Sequence, residues 1–374
     1  MRVTMLSKAL VVGAYQKKLQ QLALCSDLEL TAIVPPSWRD GSREQTIERL
    51  PAANYRLLVT PIAFNGKYHL HYYPQLPRLL AHLRPDVLHI DEEPYNLATF
   101  LALRAGRRAG ARTLFFSWQN LHRDYPLPFR LMEHYAYRHA DAAIAGTSSA
   151  ADVLRDKGYA GELAVIPQFG VDPDVFSPHP SAEPRPFTIG YAGRLVEEKG
   201  LRVLLEALGQ LRGSWRLAVR GSGPLRDAIE AWFASRAMTE RLDLADHVPS
   251  TQMPAFLNAL DLLVLPSLTR PNWKEQFGRV LVEAMACGVA VVGSDSGEIP
   301  AVIAEAGLAF PEGQAEALAA LLAELRADPA RRRAMARAGQ ARVKAHFTQA
   351  RVAAQTIALY RRMLGVAPTE ACLP

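Results

Sequence analysis

Short apolar runs that close on glycine, serine or an acid alternate along this chain with stretches whose apolar positions recur every three to four residues. The first kind reads as buried strands, the second as amphipathic helices that cover them. In the first half, strands are predicted at 5–14, ending at Gly13, at 28–36 (LELTAIVPP), 55–64 (YRLLVTPIAF), 86–91 (DVLHID), 111–120 (ARTLFFSWQN) and 141–148 (DAAIAGTS). Helices are predicted from Tyr15 to Leu24, within 66–85, after the EEPYN turn through Arg108, at FRLMEHYAYRHA and at SAADVLRDKGY. The stretch 38–55, WRDGSREQTIERLPAANY, has no such period and reads as a polar, loop-rich insertion.

DPDVFSPHPSAEPRP, residues 172–186, carries five prolines and reads as a linker. A second alternating series follows it, from FTIGYAGR (187–194) through WRLAVRGSG, ADHV and DLLVLPS to VAVVGSDSGEIP, and three long helices close the chain. Strand–helix alternation of this kind is the signature of doubly wound parallel sheets, whose ligands sit beyond the carboxyl ends of the strands. The expected class is therefore α/β, with two Rossmann-like domains facing an interdomain cleft. The expected limits are 1–171 for the first domain, 172–186 for the linker and 187–347 for the second domain. The last helix, within 348–374, is expected to pack back on the first.

Candidate chemistry concentrates between Lys274 and Gly288, KEQFGRVLVEAMACG. Gly278 stands at the entrance of a helix carrying Val280, Leu281, Ala284 and Met285 as its buried stripe, and Gly288 stands just past its end. The unpaired N–H groups of such a first turn suit a phosphate, and Gly278 lets it come close. Glu283 lies inside the helix, where a carboxylate can accept from two neighbouring hydroxyls; Glu275 lies in the loop before it. Taken alone, both glutamates could equally be solvated. Arg194, after the strand GYAG, and Lys199, before the next helix, put two cations near one strand end, as a diphosphate requires. RGSGPL, 220–225, is read as a tight turn; it lacks the third glycine of a dinucleotide fingerprint.

Six segments, GRLVEEKG (193–200), GSGPL (221–225), DLLVLPS (261–267), EQFGRVLVE (275–283), AMACGVAVV (284–292) and GEIPAVI (297–303), resemble in order and spacing the GT4-type retaining glycosyltransferases of the GT-B fold. PDVLHID, HADAAIAGTSSAADVL and VIPQFGVDPDVFSP resemble the same family more loosely. The resemblance implies a retaining transfer of a sugar from a nucleotide-diphosphate sugar to a glycan, lipid-linked or small-molecule acceptor, with no metal and no other cofactor. It implies that Arg194 and Lys199 neutralise the diphosphate, that Glu283 holds the ribose hydroxyls, and that Glu275 contacts the donor sugar. Phe277 and Gly278 would line sugar and phosphate, and the base would lie after His247, at Val248, Pro249 and Ser250. Gly13 would approach the diphosphate from the other domain, and Gly193, Gly221, Arg279 and Val280 complete the donor set. Other readings of the same fold are a nucleotide-sugar 2-epimerase and a non-catalytic nucleotide-sugar-binding subunit. The seven residues between the two glutamates speak against the first, and Arg194, Lys199, Glu275 and Glu283 together against the second.

Two departures from the family pattern concern the first domain. The turn after the first strand is Gly13-Ala14-Tyr15 where many relatives have Gly-Gly. Where many relatives place a histidine facing the donor sugar, this chain has Gln119 and Asn120, with His122 close behind. Asp91, Glu92 and Glu93, at a strand end, are candidates to bind acceptor hydroxyls or to cap the following helix.

Composition narrows the picture. The 374 residues are 49% hydrophobic and 21% charged, enough for two ordinary cores. Residues 1–175 carry 20 Lys+Arg against 17 Asp+Glu, and the remainder 23 against 20. An excess spread this evenly argues against a nucleic-acid domain. Arg104, Arg107, Arg108 and Arg112 could touch an anionic membrane or form a solvated helix face. Three cysteines without CxxC spacing fit a reducing compartment rather than a disulfide framework. The apolar start reads as a first strand, not a signal peptide, and no apolar run reaches the length of a membrane span. The expected location is cytoplasmic, with peripheral membrane contact left open. Seven of the ten histidines fall between His69 and His139, at spacings that match no usual zinc pattern.

Overall fold

The computed structural model describes residues 1–41, 43–51, 54–179 and 185–367, so part of the expected linker, Cys372 and the end of the 348–374 segment lie outside the described residues. The chain forms two units, Met1–Gly170 with Gln349–Pro374, and Val171–Thr348.

In the first unit the elements run β1 (Arg2–Leu6), α1 (Lys17–Leu22), β2 (Glu29–Val34), β3 (Ser37–Asp40), β4 (Arg43–Thr46), β5 (Tyr55–Val59), α2 (Leu76–Leu83), β6 (Val87–Ile90), α3 (Leu97–Arg108), β7 (Arg112–Ser117), α4 (Phe129–His139), β8 (Ala142–Ala145), α5 (Ser148–Asp156) and β9 (Glu162–Val165). Seven strands form one sheet in the order β5-β2-β1-β6-β7-β8-β9, with every neighbouring pair parallel. Strands such as VLHI in β6 are buried throughout, because helices cover both faces. Leu10, Leu19 and Leu22 pack with Val352, Ile357 and Tyr360 in one apolar cluster. Leu76, Leu80, Ala98, Ala102 and Ala136 pack with Leu88, Ile90 and Phe115 in another.

Two local expectations are corrected here. The first strand ends at Leu6, not Gly13; residues 9–11 and 13–16 form 3-10 turns. The apolar residues Leu10 and Val11 made the run look extended, yet they are buried in the turn. The polar insertion contains an antiparallel hairpin, β3 with β4, closed at Asp40-Gly41. Its Trp38 is buried and meets the His71 ring edge-on at 5.0 Å.

The second unit runs β10 (Phe187–Ala192), α6 (Leu201–Gln210), β11 (Trp215–Arg220), α7 (Arg226–Ala234), β12 (Leu242–Ala245), α8 (Met253–Asn258), β13 (Leu262–Leu265), α9 (Arg279–Ala286), β14 (Ala290–Ser294), α10 (Ile299–Ile303), β15 (Leu308–Phe310), α11 (Ala315–Ala327) and α12 (Pro329–His346). Its sheet has the order β12-β11-β10-β13-β14-β15, again all parallel. Asp328 accepts from Arg331 N–H at 2.8 Å and, with Pro329 following it, starts α12.

The last helix, α13 (Gln349–Leu364), belongs to the first unit and packs on α1. Tyr360 Oη bonds to His89 Nδ1 at 2.7 Å, and Arg361 pairs with Asp27 at 3.1 Å. Cys287 is a free buried thiol.

In each sheet the direction of strand addition reverses once, between β1 and β6 and between β10 and β13. Loops leaving the two strands at such a point part to opposite faces and leave a crevice, which is where ligands of doubly wound sheets bind.

Candidate functional site

The loops after β10 and β13 flank the reversal in the second sheet, and they hold the residues singled out from sequence. Backbone bonds knit them together. Leu195 N–H donates to Ser222 O at 2.9 Å, Gly193 N–H to Arg220 O at 3.0 Å, Leu268 N–H to Glu198 O at 2.8 Å, and Glu298 N–H to Glu275 O at 3.2 Å. The segments 193–200, 221–225, 266–278 and 297–300 thus form one cluster at the carboxyl edge of the sheet. Gly200 shows how tight it is. At φ +69°, it is so close to the Pro266 carbonyl that a Cβ would lie 1.7 Å from the oxygen.

Glu275 is buried at the centre of this cluster. One carboxylate oxygen, Oε2, accepts from Lys199 Nζ at 2.6 Å and from Ser267 Oγ at 2.7 Å. Lys199 also lies 5.0 Å above the Trp273 ring. The carboxylate on one side and the aromatic face on the other fix the position of the ammonium. Arg194 is 64% exposed and pairs with Glu198 at only 3.4 Å, so its guanidinium can turn toward a ligand. Tyr191 Oη donates to Arg194 O at 2.7 Å and steadies the backbone beneath it.

The helix α9 begins where the sequence places it. Gly278 is its N-cap at φ +73°, a left-handed conformation that glycine adopts without strain, and no side chain occupies the cap. With no side chain bonded at the cap, the first turn of α9 stays open to an anion, although Leu281 N–H donates to Gly278 O at 2.8 Å. Leu281, Ala284 and Met285 are buried and Val280 partly so; Gly288 closes the helix at φ +72°. Phe277 packs edge-on against Phe347 at 5.7 Å. Glu283 is buried and forms an ion pair with Arg279, whose Nε lies 2.7 Å from its carboxylate. Burial pushes its carboxyl above the usual range, partly offset by the Arg279 charge and hydrogen bond. Val248 and Pro249 follow β12, whose last residue accepts from Gly221 N–H at 3.1 Å; Pro249 is exposed.

Ser267 and Trp273 were not among the candidates from sequence. Ser267 ends the quoted DLLVLPS run, and a hydroxyl at a strand end was the signal for it. Trp273 sits in a polar loop, where nothing in the local pattern separates it from a surface aromatic.

In the first unit, the loops after β1 and β6 flank the other reversal. Asp91, Glu92 and Glu93 do not cap α3, whose N-cap is Asn96 with no side-chain bond. They tie strand ends together instead. Asp91 accepts from Ser7 Oγ at 2.7 Å. Glu92 pairs with Lys8, and its other oxygen lies 3.5 Å from His71 Nε2. Glu93 accepts from Ser117 Oγ and from Trp118 N–H, both at 2.7 Å. Burial raises the Glu92 carboxyl, but Lys8 and His71 outweigh it and hold the pKa at about 2. At Glu93, burial prevails over its two hydrogen bonds and the Lys8 charge and pushes it to about 7. Gln119 and Asn120 are buried; Gln119 Nε2 donates to Leu121 O at 3.2 Å while its Oε1 has no partner. His122 is exposed.

Gly13, expected to approach a diphosphate, donates its N–H to Glu48 Oε2 at 2.8 Å. The insertion expected to be a plain loop supplies this carboxylate. Among the described residues no group of three His, Cys, Asp or Glu could hold a metal ion, and no helix is long and apolar enough to cross a membrane.

Residues 176–342 match the family described as glycosyl transferases group 1, and residues 17–168 match the glycosyl transferase 4-like domain. The chain is similar to 2-deoxystreptamine glucosyltransferase of Streptomyces kanamyceticus, 30% identical over 252 residues, which cover 63% of this chain and 64% of that protein. The matched stretches span about half to two-thirds of the curated relatives, 64%, 51% and 49% of the first three. In structure, the chain is similar to sucrose-phosphate synthase from Thermosynechococcus elongatus, with a TM-score of 0.71, 21% identity, and 98% and 99% of the two chains covered. It is also similar to Anabaena HepE in complex with UDP and glucose, with a TM-score of 0.69, 18% identity, and 97% and 100% covered. These likenesses are of fold, and the fold is GT-B. Two family matches that between them reach from residue 17 to residue 342, on a chain folded in this way, show that the protein belongs to the GT4-type group 1 glycosyltransferases.

Proposed function

We propose that the chain moves a sugar from a nucleoside-diphosphate sugar to a hydroxyl of a glycan, lipid-linked or small-molecule acceptor, with retention at the anomeric carbon and without a metal. The observation that carries this reading is the Lys199–Glu275–Ser267 arrangement beside the open first turn of α9. Lys199, Arg194 and that turn offer positive charge to a diphosphate, while Glu275 offers negative charge beside it, as a sugar ring gaining positive character requires. Glu283, held by Arg279 inside the helix, is assigned to the ribose hydroxyls. The presence of UDP and glucose in the HepE structure supports a nucleoside diphosphate as the leaving group.

In this scheme the bond from the anomeric carbon to the diphosphate oxygen breaks and a bond to the acceptor oxygen forms on the same face. The acceptor proton goes to the departing diphosphate, so no side chain need act as base. Gln119, with its unpartnered oxygen, and Asn120 are assigned to the sugar side. Asp91, Glu92 and Glu93 are assigned to shaping the loops around them rather than to free contact with an acceptor.

The test is to incubate the protein with a panel of uridine and guanosine diphosphate sugars and follow nucleoside diphosphate release, with product stereochemistry read by NMR. Turnover with retention, unchanged by EDTA, is expected. Arg194→Ala and Lys199→Ala should each lower kcat by on the order of 100-fold. An inverted product, or full turnover in Glu275→Gln, would overturn the scheme.

A further inference from the structure

Helices α2, α3 and α4 lie side by side over one apolar cluster of the first unit, α3 packing against both others. They carry six arginines, Arg78, Arg104, Arg107, Arg108, Arg130 and Arg138, and a single carboxylate, Glu133. Glu133 is buried and paired with Lys157 at 2.5 Å, so it neutralises none of them. All six arginines are exposed, and none enters an ion pair among the described residues. Elsewhere on the same unit, exposed arginines such as Arg2, Arg56 and Arg112 are matched by carboxylates. The positive charge of this face is therefore uncompensated, although the chain as a whole is only +6.

A groove of about 200 Å³ opens between α2 and α3. Its walls are apolar, with Tyr72, Tyr73, Leu76 and Leu101, and Arg104 and Arg108 stand in its lining. Exposed apolar side chains gather beside it. Of the ten exposed large hydrophobics among the described residues, Phe64, Tyr68, Leu70 and Leu127 fall in the loops leading into α2 and α4, and Leu131 in the first turn of α4. Those loops are fixed to the helices. Phe64 lies 6.2 Å from Tyr72, Leu97 N–H donates to His69 O at 3.0 Å, and His69 meets Phe129 at 5.2 Å. An uncompensated cationic face edged by exposed apolar side chains fits a surface that is anionic outside and apolar just beneath.

We propose that the face formed by α2, α3 and α4 docks on an anionic phospholipid bilayer. Arg104 and Arg108 take headgroup phosphates at the groove, and Leu127, Leu131 and Phe64 enter the headgroup layer. This goes beyond the transferase reading and does not depend on the donor.

The test is co-sedimentation of the full chain with vesicles of phosphatidylcholine alone or mixed with phosphatidylglycerol. Binding is expected to the mixed vesicles only, and to weaken as salt is raised. Each arginine removed should cost about fivefold in partitioning, so Arg104→Gln with Arg108→Gln should cost about 25-fold. Leu127→Ser with Leu131→Ser should weaken binding at low and high salt alike. Arg333→Gln with Arg337→Gln, exposed on α12 of the second unit, should change nothing, which separates a localised face from general basicity. Thermal melts show that each variant is folded. Equal binding to neutral vesicles, no binding to either kind, wild-type partitioning by both first-unit variants, or an equal loss in the α12 variant would each overturn the proposal.

Discussion

Glu92 and Glu93 are adjacent, buried close together, and titrate in opposite directions because Lys8 and His71 outweigh burial at one, whereas burial outweighs two neutral donors and the Lys8 charge at the other. Their effects on stability have opposite signs. Glu92, held at about 2, contributes stability that is present above its unfolded pKa of about 4.5 and is lost as pH falls toward 2. Glu93, raised to about 7, keeps a proton in the fold that the unfolded chain has released, so stability declines as pH rises from about 4.5 to 7. Glu93→Gln should therefore flatten the dependence of Tm on pH between about 5 and 7, and Glu92→Gln should lower Tm at neutral pH by leaving Lys8 without its carboxylate. An unchanged slope in Glu93→Gln would refute the raised pKa. At this scale the sequence showed which side chains matter but not what they touch. Glu275 and Lys199 were legible as candidates because the strand and helix periods put them in loops beyond strand ends, and Glu283 because it lies one turn inside α9. That Lys199 closes on Glu275, or Arg279 on Glu283, depends on rotamers and neighbours that no spacing encodes.

Among the elements, the tight packing of 193–200 on 266–278 rests on a position that only glycine fits. Gly200→Ala would add a left-handed strain of roughly 1–2 kcal/mol to a contact with Pro266 O that has no side chain to move aside. The expected loss is at least about 2 kcal/mol in urea unfolding, with turnover reduced as Lys199 shifts. A stable, fully active variant would show that the two loops are not locked. The second-unit elements were the most legible, since β10, β11 and β14 stop at a glycine or serine just where the apolar run stops. The first strand was misjudged because Leu10, Val11 and Val12 are as apolar in a 3-10 turn as in a strand, and burial rather than period distinguishes them. The hairpin of β3 and β4 escaped for the converse reason. Its Asp40-Gly41 turn was visible, but its flanks are polar and only Trp38 points inward.

At the scale of the molecule, two parallel sheets follow from the alternation of apolar runs and amphipathic stretches. Strand order does not, because period is silent on which strand neighbours which; the reversals that locate the site appear only in three dimensions. The chain also returns to its first unit through α13, burying Val352, Ile357 and Tyr360. Ending the chain at Thr348 should expose that surface and strip His89 Nδ1 of its bond to Tyr360. Hydrogen exchange resolved along the chain should then show lost protection in residues 1–170 and retained protection in 171–348. Equal loss in both would mean that the units do not unfold separately.

The bond from Gly13 N–H to Glu48 means that any anion arriving there meets a resident competitor on the same chain. A tethered carboxylate acts at an effective concentration on the order of millimolar, however dilute the protein. A free anion that binds through this N–H alone must outcompete it, so simple phosphate or sulfate gains little. A ligand with a second foothold pays that cost once and displaces Glu48 as a unit. Were the Gly13 N–H to serve an anion, the β3–β4 insertion would thereby select for ligands large enough to be held at two points.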